Sequence, residues 1–394
     1  MDALTGARFV AAFHVLLFHY GGPLLASAPA WAQRLREGGY VAVTFFFVLS
    51  GFVLAHNHAR AAERGELDVH AFWVNRFSRI YPVYLVALVS MVPLTMHAPW
   101  GARVFGVASP TAKTATFLAH TGLVQGWVPQ LATSWNLPGW SVSAEAFFYL
   151  CFPLLVFQLS RVRRPGHLLA AMAALWLFSV AIAGAYLIAS PDGAGEVTRA
   201  SSGRWLTALK YNPLVRLPEF AIGVCLGRLY RAAPPARHGG ALAAGAMAGI
   251  AAALIAGPSI PYPLLHNGLL VPLFAALVFG LAQGGGVLGR ALASRPLVAL
   301  GDASYALYIL QFPLMCWLAI ALGDALPENG AAFRAAYFLL AIGASLASMR
   351  LLERPAQRWL RDQLLPRLPA WRRAARAAAA SGWPSAARSA ESSG

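Results

Sequence analysis

The chain has 394 residues, of which 58% are hydrophobic and only 12% are charged. Its mean hydropathy of +0.57 is far above the value for a soluble globular domain. The formal net charge of +16 is spread between apolar segments rather than gathered in a polar domain. These properties exclude a soluble class and a nucleic-acid-binding partner, and they indicate a chain that lies in lipid.

Apolar segments of about 17–25 residues, the length that crosses a bilayer, follow one another along the chain. The segments are 8–25, 40–57, 79–97, 141–160, 168–189, 214–230, 240–257, 265–283, 298–322 and 333–351. The sequence has no repeat of fixed period. It therefore predicts an all-α integral membrane protein, a multi-pass protein of the cell membrane, with about ten transmembrane helices in one bundle over residues 1–356.

The distribution of basic residues predicts the orientation. If the N-terminus is cytoplasmic, 22 of the 31 Lys and Arg residues fall on the inner side and nine on the outer side. Because positive charge is retained in the cytoplasm, both termini are expected there. We expect residues 357–394 to form a disordered basic tail at the lipid surface.

One apolar stretch does not fit the pattern of spans. Residues 115–127 are short for a span and include His120 and Gln125. Counting them as a span would place the basic group that begins at Arg161 outside the cell. We therefore interpret this stretch as a re-entrant or interfacial segment on the outer side.

The first span contains two ionisable residues on one face. Arg8 and His19 are eleven residues apart, which is within about 20° of three full helical turns and about 16 Å along the axis. An ionisable residue at that depth is costly and is by default a functional candidate. His14 faces another direction, rotated by about 140° from His19, and a histidine of that kind is usually a hydrogen-bonded packing residue.

Other charged residues interrupt later spans. Arg76 and Arg79 share a helix face at the inner end of the third span, where they either anchor the helix or hold an anion. Glu145 lies one turn inside the fourth span and needs a partner or a polar cavity. Arg216 and Glu219, at i and i+3, are placed to satisfy each other.

Two further groups lie near the inner ends of the last spans. Asp302 and Gln311 belong to the ninth segment, with Gln311 the deeper of the two. Glu353 and Arg354 close the last span and are interpreted as a surface pair. The three cysteines have no metal-ligand spacing, so we expect no metal site.

Taken in order, these segments resemble the acyltransferase 3 family of integral membrane O-acyltransferases over about residues 3–356. The matching motifs are LTGARFVAAFHVLLFH, VAVTFFFVLSGFVL, NRFSRIYPVYLVAL, LPGWSVSAEAFFYLCFPLL, RLPEFAIGVCLG, LGDASYALYILQFPL and LLERP. Each motif is weak alone, but their order and spacing together are specific.

The resemblance implies a function and roles for particular residues. Such an enzyme takes an acyl group, usually acetyl, from cytoplasmic acyl-CoA as co-substrate, without a permanently bound cofactor. The acceptor is a hydroxyl of an envelope glycan, a lipid-linked sugar or a small natural product. The implied residues are His19 and Glu145 for catalysis, Arg8, Arg76 and Arg79 for acyl-CoA, and Trp140, Ser143, Arg216 and Glu219 for the substrate.

The residue chemistry agrees with that implication. An imidazole is suited to take the proton of an alcohol, and Glu145 is expected to orient His19 or stabilise its charged form. Imidazole also serves as a covalent acyl carrier, and the sequence leaves both roles open.

The chain departs from the family pattern at three places. Thr5 stands where the family usually has Asp, Ala146 where a second acidic residue is frequent, and Gln311 where histidine is frequent.

Two alternatives to this function stay open from the sequence. The protein is a transporter or flippase of a lipid-linked sugar, or it has the same fold and transfers a succinyl group.

Overall fold

The computed structural model describes residues 1–96, 110–162, 164–193, 195–232, 238–322 and 330–365. The α-helices there are α1 (Asp2–Tyr20), α2 (Ala30–Glu37), α3 (Ala42–Glu63), α4 (Val69–Ser90), α5 (Val92–Met96), α6 (Pro110–Thr121), α7 (Gly139–Ser160), α8 (Pro165–Ala189), α9 (Arg204–Tyr211), α10 (Pro213–Ala232), α11 (Gly239–Ile255), α12 (Tyr262–His266), α13 (Val271–Ala282), α14 (Gly286–Leu292), α15 (Arg295–Asp302), α16 (Ser304–Leu322), α17 (Ala331–Ser348) and α18 (Arg354–Leu364). A π-helical turn, Met349–Glu353, joins α17 to α18. Within these ranges there is no strand, so the all-α prediction is confirmed.

Eight helical stretches in the described part are long and apolar enough to cross a membrane. The other two predicted spans correspond to α10 and α11. Helix α11 is apolar but has 17 residues, and α10 has 20 residues but carries four charged side chains. The membrane class predicted from the sequence is confirmed, while the orientation of the termini stays a prediction.

Helix α3 forms the centre of the bundle. Of the 18 most apolar consecutive residues in the span that contains α3, 78% are buried, whereas the share for α8 is 17%. Helix α3 packs most closely on α10, where Gly51 of α3 lies against the backbone of α10 and Gly223 of α10 lies against that of α3. A Cβ atom at either position would meet a carbonyl oxygen, so these glycines allow the two backbones to approach.

Residues 115–127 do not form one helix. Helix α6 ends at Thr121, and a short 3₁₀ turn follows at Gln125–Trp127. Tyr84 on α4 donates to the His120 carbonyl, and Gln125 donates to Tyr84. The His120 ring is fully buried, with its Nε2 3.1 Å from the Ser134 hydroxyl. This geometry favours the re-entrant interpretation.

The last described helix extends past the expected domain boundary at residue 356. Helix α18 continues to Leu364 and packs against α4, with Arg354 paired to Asp302 at 3.1 Å. Residues 366–394 of the expected tail lie outside the described residues. The interpretation of Glu353 and Arg354 as a surface pair is wrong, because Glu353 is buried and Arg354 pairs with Asp302 instead.

Candidate active site

A cavity of about 140 Å³ lies between α1, α3, α4, α7 and α16. We call it the arginine cavity, because its lining includes Arg8, Arg76 and Arg79 together with a single carboxylate, Glu145. The sequence assigned these four residues to the site, and the structure brings them together from three helices. The lining also includes the aromatic side chains of Phe46, Phe47, Tyr149, Tyr305 and Tyr308.

Helix α4 holds its two arginines in place through contacts on both sides. Asp68 caps the helix by accepting from the Ala71 N–H at 2.9 Å. Trp73 donates to the Tyr149 carbonyl on α7, and Tyr305 of α16 donates to the Ile80 carbonyl. These bonds fix α4 between α7 and α16, so Arg76 and Arg79 are positioned by a rigid framework.

Glu145 is held by two hydroxyl groups. The Tyr149 hydroxyl, one turn further along α7, donates to its carboxylate, and the Ser50 hydroxyl of α3 does so at 3.4 Å. Glu145 also interacts electrostatically with Arg8 and Arg76. The carboxylate therefore balances part of the positive charge of the arginine cavity.

Three guanidinium groups and one carboxylate leave the arginine cavity with an excess of positive charge. Glu353 interacts electrostatically with Arg8 and Arg79, but it does not line the cavity. The Nε of Arg76 is buried and has no hydrogen-bond partner in the described part of the chain. A guanidinium with an unused buried donor is suited to an anionic ligand such as a phosphate.

His19 occupies a different place from Glu145. It lies in the last turn of α1, is exposed, and is not among the residues that line the arginine cavity. Its ring lies 4.7 Å from the ring of Phe18, and Arg199 is its charged neighbour. The structure does not bring Glu145 and His19 together, because the carboxylate is engaged by Tyr149 and Ser50. The expected catalytic roles of the two residues stay predictions.

His14 shows the contrast that the helical phase predicted. Its Nε2 lies 2.7 Å from the Leu35 carbonyl, so it ties α1 to α2. His19 faces away from this contact, and no hydrogen bond to its ring is found within the described residues. One histidine of the pair has a structural partner, and the other is free to meet a ligand.

Arg216 and Glu219 form the buried pair that their spacing predicted, at 2.9 Å. Arg216 also donates to the His266 carbonyl at 2.6 Å, to Asn267 Oδ1 at 2.9 Å and to Thr44 Oγ1 at 2.8 Å. Both members of the pair are about 1% exposed. The pair joins α10 to α3 and α12, while Arg216 Nε and Glu219 Oε2 are buried without a hydrogen-bond partner among the described residues. The expected contact of Arg216 and Glu219 with the substrate stays a prediction.

Trp140 and Ser143 are also engaged by the protein. Trp140 is buried beside Phe47, with the Arg216 guanidinium 6.0 Å from its ring. The Ser143 hydroxyl donates to the Leu123 carbonyl at 2.6 Å and accepts from the Gly126 N–H. Ser143 thus anchors residues 123–126 and does not line the arginine cavity. The predicted roles of Trp140 and Ser143 in substrate binding stay predictions.

Comparison with known proteins agrees with this geometry. A family model described as "Acyltransferase domain" matches residues 1–350. The chain belongs to the acyltransferase 3 family. It is therefore a membrane enzyme that transfers acyl groups, and the transporter alternative is set aside.

Individual relatives of this acyltransferase carry consistent names. Acyltransferase MdmB of Streptomyces mycarofaciens is 30% identical over 342 residues, which cover 79% of this chain and 78% of that protein. Peptidoglycan O-acetyltransferase OatA of Listeria monocytogenes is 28% identical over 188 residues, covering 45% of this chain and 28% of that protein. No solved structure matches the chain.

Ser50, Tyr149 and Tyr305 of this acyltransferase were not among the site residues predicted from the sequence. Ser50 was visible as the one hydroxyl in the apolar run VAVTFFFVLSGFVL after Thr44, and Tyr149 as the i+4 neighbour of Glu145. These signals identify a polar group in an apolar helix. They do not say which distant carboxylate or carbonyl the group will meet.

Proposed function

We propose that this enzyme transfers an acyl group, with acetyl as the expected group, from cytoplasmic acyl-CoA to a hydroxyl of an envelope glycan, a lipid-linked sugar or a small natural product. The observation that carries the proposal is the arginine cavity, where three guanidinium groups surround one carboxylate. OatA, a relative, is named for O-acetylation of peptidoglycan, which supports a glycan acceptor.

In this proposal the arginine cavity binds the anionic donor. Guanidinium forks bind phosphate oxygens in bidentate geometry, which a lysine cannot reproduce. Arg8 and His19 are about 16 Å apart along α1, a separation that an extended pantetheine arm can span. The phosphates would then lie at Arg8, Arg76 and Arg79, with the thioester directed along α1 towards His19.

The path from the arginine cavity to His19 passes Phe46. Phe46 lines the cavity, and it also packs against the core cluster that contains Leu16, one turn before His19. The rings of Phe46 and Tyr308 lie 6.1 Å apart. The acyl arm reaches His19 in this proposal when these side chains move aside.

His19 acts in the chemical step as a general base. Its imidazole accepts the proton of the acceptor hydroxyl while that oxygen forms a bond to the thioester carbon. The carbon–sulfur bond breaks as the tetrahedral intermediate collapses, and the proton passes from the imidazolium to the leaving thiolate. Glu145, Tyr149 and Ser50 position the donor arginines and do not touch the reacting atoms.

The direct test uses the purified full-length protein in lipid nanodiscs. Acetyl-CoA is added together with an extract of envelope glycans and lipid-linked sugars, and free thiol is measured against time. We expect thiol release that depends on the extract, with acetylated sugars identified by mass spectrometry. A parallel reaction with succinyl-CoA determines the transferred group. Absence of thiol release with every donor and acceptor would overturn the proposal.

The orientation is tested by cysteine labelling of intact cells. We expect a membrane-impermeant maleimide to label Ser202→Cys, on the loop before α9, and not Glu66→Cys, on the loop between α3 and α4. Both positions are exposed in the structure. Labelling of Glu66→Cys with protection of Ser202→Cys would invert the topology and contradict delivery of the donor from the cytoplasm.

A further inference from the structure

A second and larger cavity, of about 710 Å³, lies where residues 195–200 and 257–261 meet α2 and α12. We call it the tyrosine cavity, and it shares no lining residue with the arginine cavity. Its charged and aromatic lining side chains are Arg34, Glu37, Tyr40, Glu196, Arg199 and Tyr262. Its volume falls in the range of about 300–1,000 Å³ that is usual for small-molecule sites.

Two tyrosine rings form a fixed wall of this cavity. The rings of Tyr40 and Tyr262 meet edge to face at 5.3 Å, and Tyr40 stacks on His266 at 5.4 Å. The Lys210 ammonium lies 5.5 Å from the centre of the Tyr262 ring. Rings that are already held by neighbours offer contact area to a ligand with little loss of conformational entropy.

The tyrosine cavity is lined by charged groups of both signs. Two arginines face two carboxylates, and Glu37 is already paired with Arg36 at 2.8 Å. Glu196 and Arg199 lie three residues apart on one exposed loop, and neither forms an ion pair within the described residues. A carboxylate that accepts beside a guanidinium that donates is suited to neighbouring hydroxyl groups, which do both.

Contacts through one side chain connect this cavity to His19. The Arg199 guanidinium lies 5.4 Å from the centre of the Phe18 ring, and Tyr40 meets the same ring at 5.7 Å. Phe18 precedes His19 and touches its ring. Neither Phe18 nor His19 lines the tyrosine cavity, but two of its lining residues, Tyr40 and Arg199, contact the immediate neighbour of His19. One side chain, Phe18, therefore links the cavity lining to the imidazole.

We propose that the tyrosine cavity is the acceptor site and that it holds a neutral sugar ring, with the apolar face on Tyr40 and Tyr262 and the hydroxyls on Glu196 and Arg199. This inference rests on the proposed function, because it supplies the hydroxyl that His19 deprotonates. The unpaired Glu196 carboxylate beside Arg199 would repel an anion, which favours a neutral ring over an anionic one. The cavity volume suits one compact glycoside or the terminal sugars of a longer glycan.

The first test measures protection from labelling. Ala200 lines the tyrosine cavity and is exposed, and Ser202 is exposed two residues further on without lining it. The rates of maleimide labelling of Ala200→Cys and Ser202→Cys are measured in the absence and in the presence of methyl glycosides of neutral hexoses. A glycoside concentration of about 10 mM is enough to saturate a millimolar site. We expect at least one glycoside to slow the labelling of Ala200→Cys threefold or more and to leave Ser202→Cys unchanged.

Two outcomes of this experiment overturn the assignment. If no glycoside slows the labelling of Ala200→Cys, the cavity does not bind sugars. If methyl glucuronide protects and the neutral glycosides do not, the ligand is an anion. Neither result depends on catalysis, so both are independent of whether the protein transfers acyl groups.

The second test uses kinetics with the extract-derived acceptor. Glu196→Gln should raise the acceptor KM about tenfold, the effect expected for one hydrogen bond to a charged group. The acyl-CoA KM should not change. Glu66→Gln, an exposed carboxylate outside both cavities, is the matched control. If the wild type is active and Glu196→Gln has the same acceptor KM, the acceptor site is contradicted and the proposed function is not. If the wild type is inactive, the proposed function itself is contradicted.

Discussion

The arginine cavity and the tyrosine cavity differ in both charge and construction. The arginine cavity is built from long helices and carries three cations against one carboxylate. The tyrosine cavity is built mainly from loops and short 3₁₀ turns and is lined by two arginines and two carboxylates. Helices hold a site rigidly, while loops vary without loss of the fold. In the proposed function this difference assigns the anionic donor to the rigid helical site and the acceptor to the site built from loops.

Among the variants considered, replacement of His19 should cause the largest loss of acyl transfer. His19→Ala removes the base that we place between the two cavities. We expect transfer to fall by about 10²–10⁴-fold, the usual contribution of a general base. Acyl-CoA binding should remain, because the arginine cavity does not include His19. The measurement is thiol release per molecule of folded protein, with acyl-CoA affinity measured separately.

His14→Ala is the matched control on the same helix. It removes a hydrogen bond to the Leu35 carbonyl, so it should lower thermal stability and keep most of the activity per folded molecule. Equal losses of activity in the two variants, at equal abundance in the membrane, would show that His19 has no special role.

The wall between the two cavities contains the Arg216–Glu219 pair. The Arg216 guanidinium lies 5.6 Å from the ring centre of Phe47, and Phe47 lines the arginine cavity. Arg216 also donates a hydrogen bond to the His266 carbonyl, and the His266 ring stacks on Tyr40 of the tyrosine cavity. Glu219→Gln leaves a buried guanidinium without its counter-charge. We expect a loss of about 3–5 kcal/mol in the free energy of unfolding, as is usual when one partner of a buried pair is removed.

Glu145→Gln provides the comparison for that variant. Glu145 is also a counter-charge, for Arg8 and Arg76, but it lies in a cavity where water screens the arginines, and an amide can still engage its two hydroxyl partners. Its replacement should therefore lower stability less. Thermal unfolding in nanodiscs measures both variants. A smaller loss in Glu219→Gln than in Glu145→Gln would mean that the wall pair is not what holds α10 to α3.

The two cavities each contain arginines, and these should respond differently to replacement. Arg79→Ala should raise the acyl-CoA KM by about 10–100-fold with little change in kcat, because an interaction made equally in the ground state and the transition state is removed. Arg34→Ala, in the tyrosine cavity, should leave the acyl-CoA KM unchanged. Arg79→Lys should recover part of the binding, since it retains the charge but not the fork.

Steady-state kinetics at several salt concentrations separate donor binding from membrane anchoring. The acyl-CoA KM of the wild type should rise with salt more steeply than that of Arg79→Ala. If Arg79→Ala instead shows a normal acyl-CoA KM and reduced insertion, the arginine is a topological anchor and the arginine cavity is not the donor site.

The arginine cavity was more predictable from the sequence than the tyrosine cavity, for a physical reason. Charged residues within apolar spans are costly and therefore conspicuous, and helical periodicity alone relates Arg8 to His19 and Arg76 to Arg79. Such periodicity acts within one helix. It does not relate Glu145 to Ser50, which is 95 residues away in sequence.

The partners of Arg216 show the same limit. The sequence predicted Glu219, three residues away, but not Thr44 or His266, which lie on other helices. The tyrosine cavity depends on loops such as 195–200, whose polar residues are ordinary for a solvated connection. Nothing in their spacing indicates that they close around a common volume.

The smallest predicted effect concerns Lys210, beside the tyrosine cavity. Burial lowers the pKa of its ammonium group to about 8, while the unfolded chain retains a value of about 10.4. Below pH 8 both states are protonated, and the folded protein bears the cost of a buried charge. Between about pH 8 and pH 10 the folded state loses the proton first, so this group should make the protein more stable as the pH rises through that range.

Lys210→Met keeps the apolar stem and removes the charge. The contacts of the ammonium with the rings of Tyr211 and Tyr262 are lost, at 5.0 Å and 5.5 Å, and they oppose part of the burial cost. We expect the variant to be more stable than wild type at pH 7 by on the order of 1 kcal/mol, with the difference shrinking towards pH 10. Thermal unfolding of both proteins across this range gives the difference directly. If that difference is independent of pH, the charge of Lys210 does not titrate as described, and the tyrosine cavity keeps an extra cation at every working pH.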